Sequence, residues 1–344
     1  MQKALPIITF ALLAATPIGA QERPALAPSE IVAAAPKADW SAIAPSDLLV
    51  MDLASDTKGK PRRVVIQLMP PPFSQGWVGN IRKLAAARFW DGLSVNRVQD
   101  NYVVQWGDAD GEDKAKARKL PGRLVTVPES EYVTPIVAAP VGAMPKTKPA
   151  LANLQIFDIY VSQDGSDLLR GAGTSGFSMG WPLALLPVNP RKDNEDSDTD
   201  VTGRQVVASW PVHCYGMVGV GRNLSPDTGS GAELYTVIGH APRHLDRNIA
   251  VVGRVIEGIE HLSSLPRGTE ALGFYKTAKE RTKIRSVRMG NEVFGLPAYE
   301  YLSTDSESFA RYADARANRR DAFFIRPAGG ADVCNIPVPV RRVK

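Results

Sequence analysis

One arginine stands between two short β-prone runs. A turn signal at Asp91-Gly92 leads into Leu93-Ser94-Val95-Asn96-Arg97-Val98, and after a loop comes Tyr102-Val103-Val104-Gln105-Trp106-Gly107-Asp108. A guanidinium keeps its proton and presents its N–H donors in a fixed planar fork, so its chemistry is donation and charge stabilisation rather than proton shuttling. Strand alternation puts Arg97 on the face of Val95 and sets Tyr102, Val104 and Trp106 against Val103 and Gln105. Such a residue is either an ordinary edge arginine with a buried stem and a wet head, or the working group of a site.

Other groups with chemical potential resolve into plainer readings. His240 and His244 are four apart, but they flank Ala241-Pro242, which bars a helix, and no Cys, Asp or Glu set completes a zinc site, so no metal is expected. The alternating carboxylates of Asp193 to Asp200 lack the turn glycine and closing glutamate of a calcium loop and read as a hairpin tip. Gly216-Met217-Val218-Gly219-Val220-Gly221 has no βαβ context, which argues against a dinucleotide loop. The two cysteines, Cys214 and Cys334, are open to two readings: a disulfide closing a long loop, or two separate buried thiols.

The elements that would position these residues follow from pattern. Met1 to Ala20, with an apolar run from Ala4 to Ala15 and the small-residue end Ile18-Gly19-Ala20, reads as a cleaved signal peptide for export, most simply to a bacterial periplasm. No later stretch offers eighteen uninterrupted apolar residues, so no membrane span is expected in the mature chain. Residues 21–45, rich in Ala and Pro, read as a linker or extended arm. Leu48 to Leu53 and Arg63 to Leu68 read as two strands across a polar turn. Ser74 is placed to cap a helix running to about Phe89, with Trp77, Val78, Ile81, Leu84, Ala85 and Phe89 on one face.

Leu124 to Val127 and Ile156 to Val161 read as added strands, and Gln205 to Trp210 as the return to the main sheet. Near the end, Ser306 to Phe324 carries Phe309, Tyr312, Ala313 and Phe323 at near-helical spacing, a helix docked on the main body, and the basic tail Arg341-Arg342-Val343-Lys344 reads as a solvated end. With 41 basic and 36 acidic residues interspersed, and no basic stripe with interleaved aromatics, the net charge of +5 does not point to nucleic acid.

The order Asp91-Gly92, Asn96-Arg97-Val98, Tyr102-Val103-Val104-Gln105, Gly107-Asp108 resembles the cyclophilin-type peptidyl-prolyl cis/trans isomerases. A second block agrees in order: Gly216-Met217-Val218-Gly219, Ser230-Gly231-Ala232-Glu233-Leu234-Tyr235, His244-Leu245-Asp246, and Val251 to Gly258. The resemblance implies a mainly β fold, a closed eight-stranded antiparallel barrel capped by helices over 46–290, with an insertion at about 109–211 and an extension at 291–344. It implies rotation of Xaa-Pro bonds in proline-containing polypeptides with no cofactor, and assigns Arg97 as the hydrogen-bond donor to the prolyl nitrogen. By position, Tyr102, Val103, Tyr235 and Leu245 would wall the proline pocket, Gln105 and Gly219 would meet substrate backbone, and Glu233 and His244 occupy substrate-contacting positions. The chain departs from the family at Val95-Asn96, where Phe-His is usual, at Tyr102 or Tyr235 for phenylalanine, at Glu233 for glutamine, at His244 for tryptophan, and at Ile249 for histidine. The alternative function is a non-catalytic peptide-binding or chaperone module on the same scaffold.

Overall fold

A computed structural model describes residues 25–137, 174–187 and 206–343. The signal peptide expected at 1–20, the strand expected at 156–161 and the hairpin tip expected at 193–200 lie outside these residues. The described chain enters through helix α1 (Pro28–Ala34) and strand β1 (Trp40–Ile43), so what reads locally as an arm contains two regular elements. Their partners lie near the other end of the chain, as described below.

Strands β2 (Leu48–Leu53) and β3 (Arg62–Leu68) pair antiparallel. Their largely apolar runs, Leu48–Met51 and Val64–Ile66, have a physical cause in burial on both faces. Leu49, Met51, Leu53, Val64, Ile66 and Leu68 point into the main core, while Leu48 and Val65 face a second layer with Ile43 and Tyr299. Each such aliphatic side chain stabilises the fold by about 1.5–3 kcal/mol when fully buried.

Helix α2 (Gln75–Ala86) buries Trp77, Val78, Ile81, Leu84 and Ala85 in that core. The indole of Trp77 donates to the Thr228 carbonyl and stacks on Tyr132. Ser74 stands at the N-cap but does not cap: its φ is +55° and its hydroxyl donates to the Val251 carbonyl, tying the helix start to the barrel. The helix stops before Phe89 because Arg88 turns left-handed, at φ +54°, and Phe89 enters the core from the turn beyond.

Strands β4 (Ser94–Val98) and β5 (Val103–Gly107) follow. Leu124 to Val127, expected as a strand, is none. Asn80 supplies what a neighbouring strand would, donating to the Val125 carbonyl at 2.8 Å and accepting from its N–H at 2.9 Å. Strands β6 (Thr134–Val137), β7 (Thr174–Ser178), β8 (Trp181–Pro187) and β9 (Val206–Pro211) form their own antiparallel sheet in the order β6-β9-β8-β7. Of the segment expected at 205–210, the described residues 206–210 therefore join this second sheet, and the chain regains the barrel only at β10 (Met217–Val220).

Strands β11 (Leu234–Val237) and β12 (Val251–Glu257), a short helix α3 (Glu260–Ser263) and strand β13 (Thr282–Met289) complete the core. Among the described residues, eight strands close an antiparallel barrel in the order β10-β11-β5-β4-β13-β2-β3-β12.

Beyond it come β14 (Tyr299–Leu302), α4 (Glu307–Ala317) and β15 (Val340–Arg342). β1, β14 and β15 make a three-stranded sheet from both ends of the described chain. Helix α4 packs into a core of its own. Phe309, Tyr312, Ala313 and Ala317 form a separate core with Ile31, Trp40, Leu302 and Ile336. The Ser306 hydroxyl caps α4 by accepting from the Phe309 N–H at 3.0 Å; the helix ends at Ala317, and Phe323 lies exposed outside it. The basic tail is no free end: Arg341 lies 3.6 Å over the Trp40 ring and pairs with Glu300, and Arg342 pairs with Glu257. Cys214 and Cys334 form a disulfide, so the extension is also held covalently. Among the described residues no helix is long and apolar enough to cross a membrane, and no group of three or more His, Cys, Asp or Glu could hold a metal.

Candidate active site

Arg97 owes its direction to a β-bulge. Across β4 and β5, Val95 pairs with Trp106 and Arg97 with Gln105, with the register shifting between them, so Asn96 is the additional residue. Val95 thus points into the barrel, while Arg97 turns to the outer face with Gln105, contrary to the shared face that simple alternation gives. Tyr102 also changes sides. It lies before β5, after Asn101 at φ +48°, and packs with Val103, Tyr235, Val237, Leu245 and Ile249 instead of with the core residues Val104 and Trp106.

The guanidinium is half-buried and held by three neutral acceptors. Nε donates to the Leu272 carbonyl at 2.7 Å, one terminal nitrogen to Gln105 Oε1 at 3.1 Å, and the other to Gln99 Oε1. Among the described residues no carboxylate pairs with it. Three of its five N–H groups are used, leaving one on each terminal nitrogen for a ligand. Burial draws its pKa below the ordinary value, with Tyr102 and Tyr235 opposing, and a more acidic cation is a stronger hydrogen-bond donor. The Tyr102 and Phe274 rings lie 5.7 and 5.4 Å from its central carbon.

Beside it the aromatic and aliphatic wall is held from behind. Gly219 lies in β10, opposite Tyr235, and a Cβ there would overlap the Tyr235 ring; the glycine gives that ring its place. His213, fully buried, links Tyr235 to Asp246. A carboxylate only accepts, so Nδ1 is assigned as donor to Asp246 Oδ1 at 2.8 Å, and in that neutral tautomer Nε2 accepts from the Tyr235 hydroxyl at 2.8 Å. Burial, with Tyr102 and Asp246 adding, pushes the Tyr235 pKa well above its ordinary range, so the hydroxyl keeps the proton it donates. Arg243 grips the other oxygen of Asp246 at 2.6 Å. Leu245 and His244 belong to this same turn, and His244 stacks on Tyr102 at 6.4 Å.

The structure therefore brings Arg97, Tyr102, Val103, Gln105, Tyr235, His244 and Leu245 to one outer patch of the barrel over β4, β5 and β11. Glu233 stands behind that patch. Its Oε1 accepts from the Asp108 N–H at 2.7 Å, while its Oε2 and the Asn96 Oδ1 are both buried without a hydrogen-bond partner. Sequence reasoning missed His213, Gln99, Leu272 and Phe274. His213 carried one usable signal, being a histidine next to a cysteine just before β10; the other three are recognisable only by contact.

Glu233 yields a pH prediction. Burial raises its pKa from 4.5 to about 7, opposed by the Asp108 N–H and by the Gln105 and Asn96 amides. Between those values the folded chain holds a proton that the unfolded chain has lost, so this group makes stability fall as pH rises from 4.5 to 7. Glu233→Gln removes that slope and offers an N–H to the orphaned Asn96 oxygen. Urea unfolding at pH 5 and pH 8 is expected to show a larger loss at pH 8 for wild type than for the variant; equal losses would contradict it.

The family described as cyclophilin type peptidyl-prolyl cis-trans isomerase/CLD matches residues 57–289. Among solved structures, a cyclophilin from Hirschia baltica aligns with a TM-score of 0.57 at 21% identity, covering 89% of this chain and 94% of that one, which shows a shared fold. A Cryptosporidium parvum cyclophilin type peptidyl-prolyl cis-trans isomerase, solved in the presence of the dipeptide Ala-Pro, aligns at 9% identity and a TM-score of 0.35 over 70% of this chain and 98% of that one. No curated protein matches the sequence.

Proposed function

The chain belongs to the cyclophilin-type peptidyl-prolyl cis-trans isomerases, and from that premise we propose that it accelerates rotation of Xaa-Pro bonds in exported polypeptides, with Arg97 as the catalytic donor. Rotation about such a bond is resisted by amide resonance, a barrier of about 20 kcal/mol, and takes roughly tens to hundreds of seconds unaided. No bond is broken and no proton need move. In the twisted state the prolyl nitrogen loses conjugation, becomes pyramidal and regains a lone pair. A donor waiting for that lone pair stabilises the twisted form and leaves both planar forms alone, which is the condition for catalysis.

The observation that carries this reading is the Arg97 guanidinium: held in place by Leu272, Gln105 and Gln99, free of any carboxylate among the described residues, and flanked by the apolar cluster of Tyr102, Val103, Tyr235 and Leu245. Neutral acceptors fix the fork without neutralising it. The apolar wall suits a prolyl ring, and the dry surroundings strengthen the one polar contact made there. His213 and Asp246 keep the Tyr235 ring from turning, so the wall is formed before substrate arrives.

The test is a prolyl-peptide isomerisation assay on the full chain and on Arg97→Ala. Acceleration by the wild type that is lost in the variant supports the reading; no acceleration by either, or the same by both, overturns it.

Export is supported by the Cys214–Cys334 bond, since disulfides persist in oxidising compartments, and by the apolar run from Ala4 to Ala15. The mature protein is expected in the periplasmic fraction with an N-terminus near Gln21. A product retaining Met1 in the cytosol would refute export.

A further inference from the structure

The segment 268–275 lies over Arg97 and does more than lend it a carbonyl. Leu272 is 64% exposed and Phe274 37% exposed, both apolar, and both belong to the immediate surroundings of the guanidinium. The segment is built rigidly. Gly268 N–H donates to the Val98 carbonyl at 3.0 Å, Tyr275 N–H to the Asn96 carbonyl at 3.0 Å, and Glu270 N–H to the Phe274 carbonyl at 3.1 Å. Phe274 also bridges Arg97 through the main chain. A Cβ at Gly273 would come 2.7 Å from the Gln99 Cα, so the segment is pressed against the turn that follows β4.

Two features of Leu272 are costly for a fold. Its φ of +58° is a left-handed conformation that a bulky aliphatic residue rarely adopts, worth roughly 1 kcal/mol or more. Its side chain is nevertheless spent on solvent and adds little to any core. The strained backbone aims the Leu272 carbonyl at Arg97 Nε and leaves the Leu272 side chain uncovered beside the guanidinium.

We propose that Leu272 and Phe274 form a subsite for an apolar side chain flanking the substrate proline, so that the enzyme favours prolines in aliphatic or aromatic sequence. This rests on the isomerase reading above. The Tyr102 and Phe274 rings both lie within 6 Å of one guanidinium carbon. An extended peptide advances about 3.4 Å per residue, so with the proline seated near Tyr102 a residue within about three positions of it reaches Phe274. The selectivity is for unfolded or partly folded clients, in which apolar residues near a proline are uncovered.

The experiment compares peptides in an alanine background, each with one proline and a single Leu or Phe at one of the three positions before or after it. The quantity read is the ratio of kcat/KM for each peptide to that of the all-alanine peptide. Wild type is expected to show a gain of about fivefold at one position, equivalent to burying part of one aliphatic side chain. In Phe274→Ala and in Leu272→Asn the ratio falls toward one, whatever the absolute rate. Asn tolerates the left-handed conformation, so Leu272→Asn is expected to fold as stably as wild type or more so while losing selectivity, which separates binding from structure. A flat ratio across all positions in wild type, or a gain that survives both substitutions, overturns the subsite while leaving isomerase activity standing. No acceleration of any peptide overturns both.

Discussion

Arg97→Ala is expected to lower kcat/KM for prolyl peptides by about ten- to a hundredfold with little change in stability. A hydrogen bond from a charged donor is worth about 1.5–3 kcal/mol net, and each 1.36 kcal/mol is about tenfold in rate. The loss should fall mainly on kcat, because the contact is made when the nitrogen is pyramidal and not before. Arg97→Lys is the sharper variant. An ammonium keeps the charge but has no planar fork, so it cannot hold Leu272, Gln105 and Gln99 together while still presenting donors. It should recover only a small part of the rate. Full recovery in the lysine variant would mean that charge alone suffices and that the three-point clamp is dispensable.

Breaking Cys214–Cys334 should cost the most stability of any single change considered. The bond joins residues 120 apart in sequence, for which loop-closure entropy alone gives about 5 kcal/mol; measured values usually reach about 2–4. For a chain of this length that corresponds to a fall of roughly 3–6 °C in Tm. A Cys214→Ser/Cys334→Ser double variant, compared with wild type under oxidising and reducing conditions, is the measurement. Reductant should destabilise wild type to the level of the variant and leave the variant unmoved. If reductant has no effect on wild type, the covalent tie does not contribute.

The same tie bears on the site. Cys214 follows His213, which holds Tyr235, and Asp332, two residues before Cys334, lies 3.7 Å from the Arg243 that grips Asp246. Loosening the extension is therefore expected to loosen the apolar wall beside Arg97. KM should rise in the reduced enzyme more than kcat falls if, as proposed, the wall binds the proline and Arg97 is the donor.

Much of this protein is legible in one dimension. The two-faced apolar runs at Leu48 to Leu53 and Val64 to Leu68 and the helical face from Trp77 to Ala85 depend on composition and near-neighbour spacing, and the fold repeats them, while the block around Tyr235 is singled out only by its resemblance to the family. Periodicity works there because the ladder or helix is unbroken and the burial it reports is local. It fails at Arg97, where one additional residue, Asn96, reverses every face that alternation assigns beyond it. It fails again at Tyr102, displaced from its strand by the turn at Asn101, and at residues 124–127, whose ladder is replaced by one asparagine side chain.

The amino-acid order by itself determined which residue types are present to work, a permanent donor and a set of apolar walls, and in what succession they come. Only the tertiary structure decided that the donor faces outward, that Leu272 and Gln99 hold it, that a histidine relay steadies Tyr235, and that both ends of the described chain share one sheet. Those outcomes are set by contacts between segments as far apart as Trp40 and Leu302. Neither local propensity nor spacing carries information about which distant backbone will arrive to complete a pair.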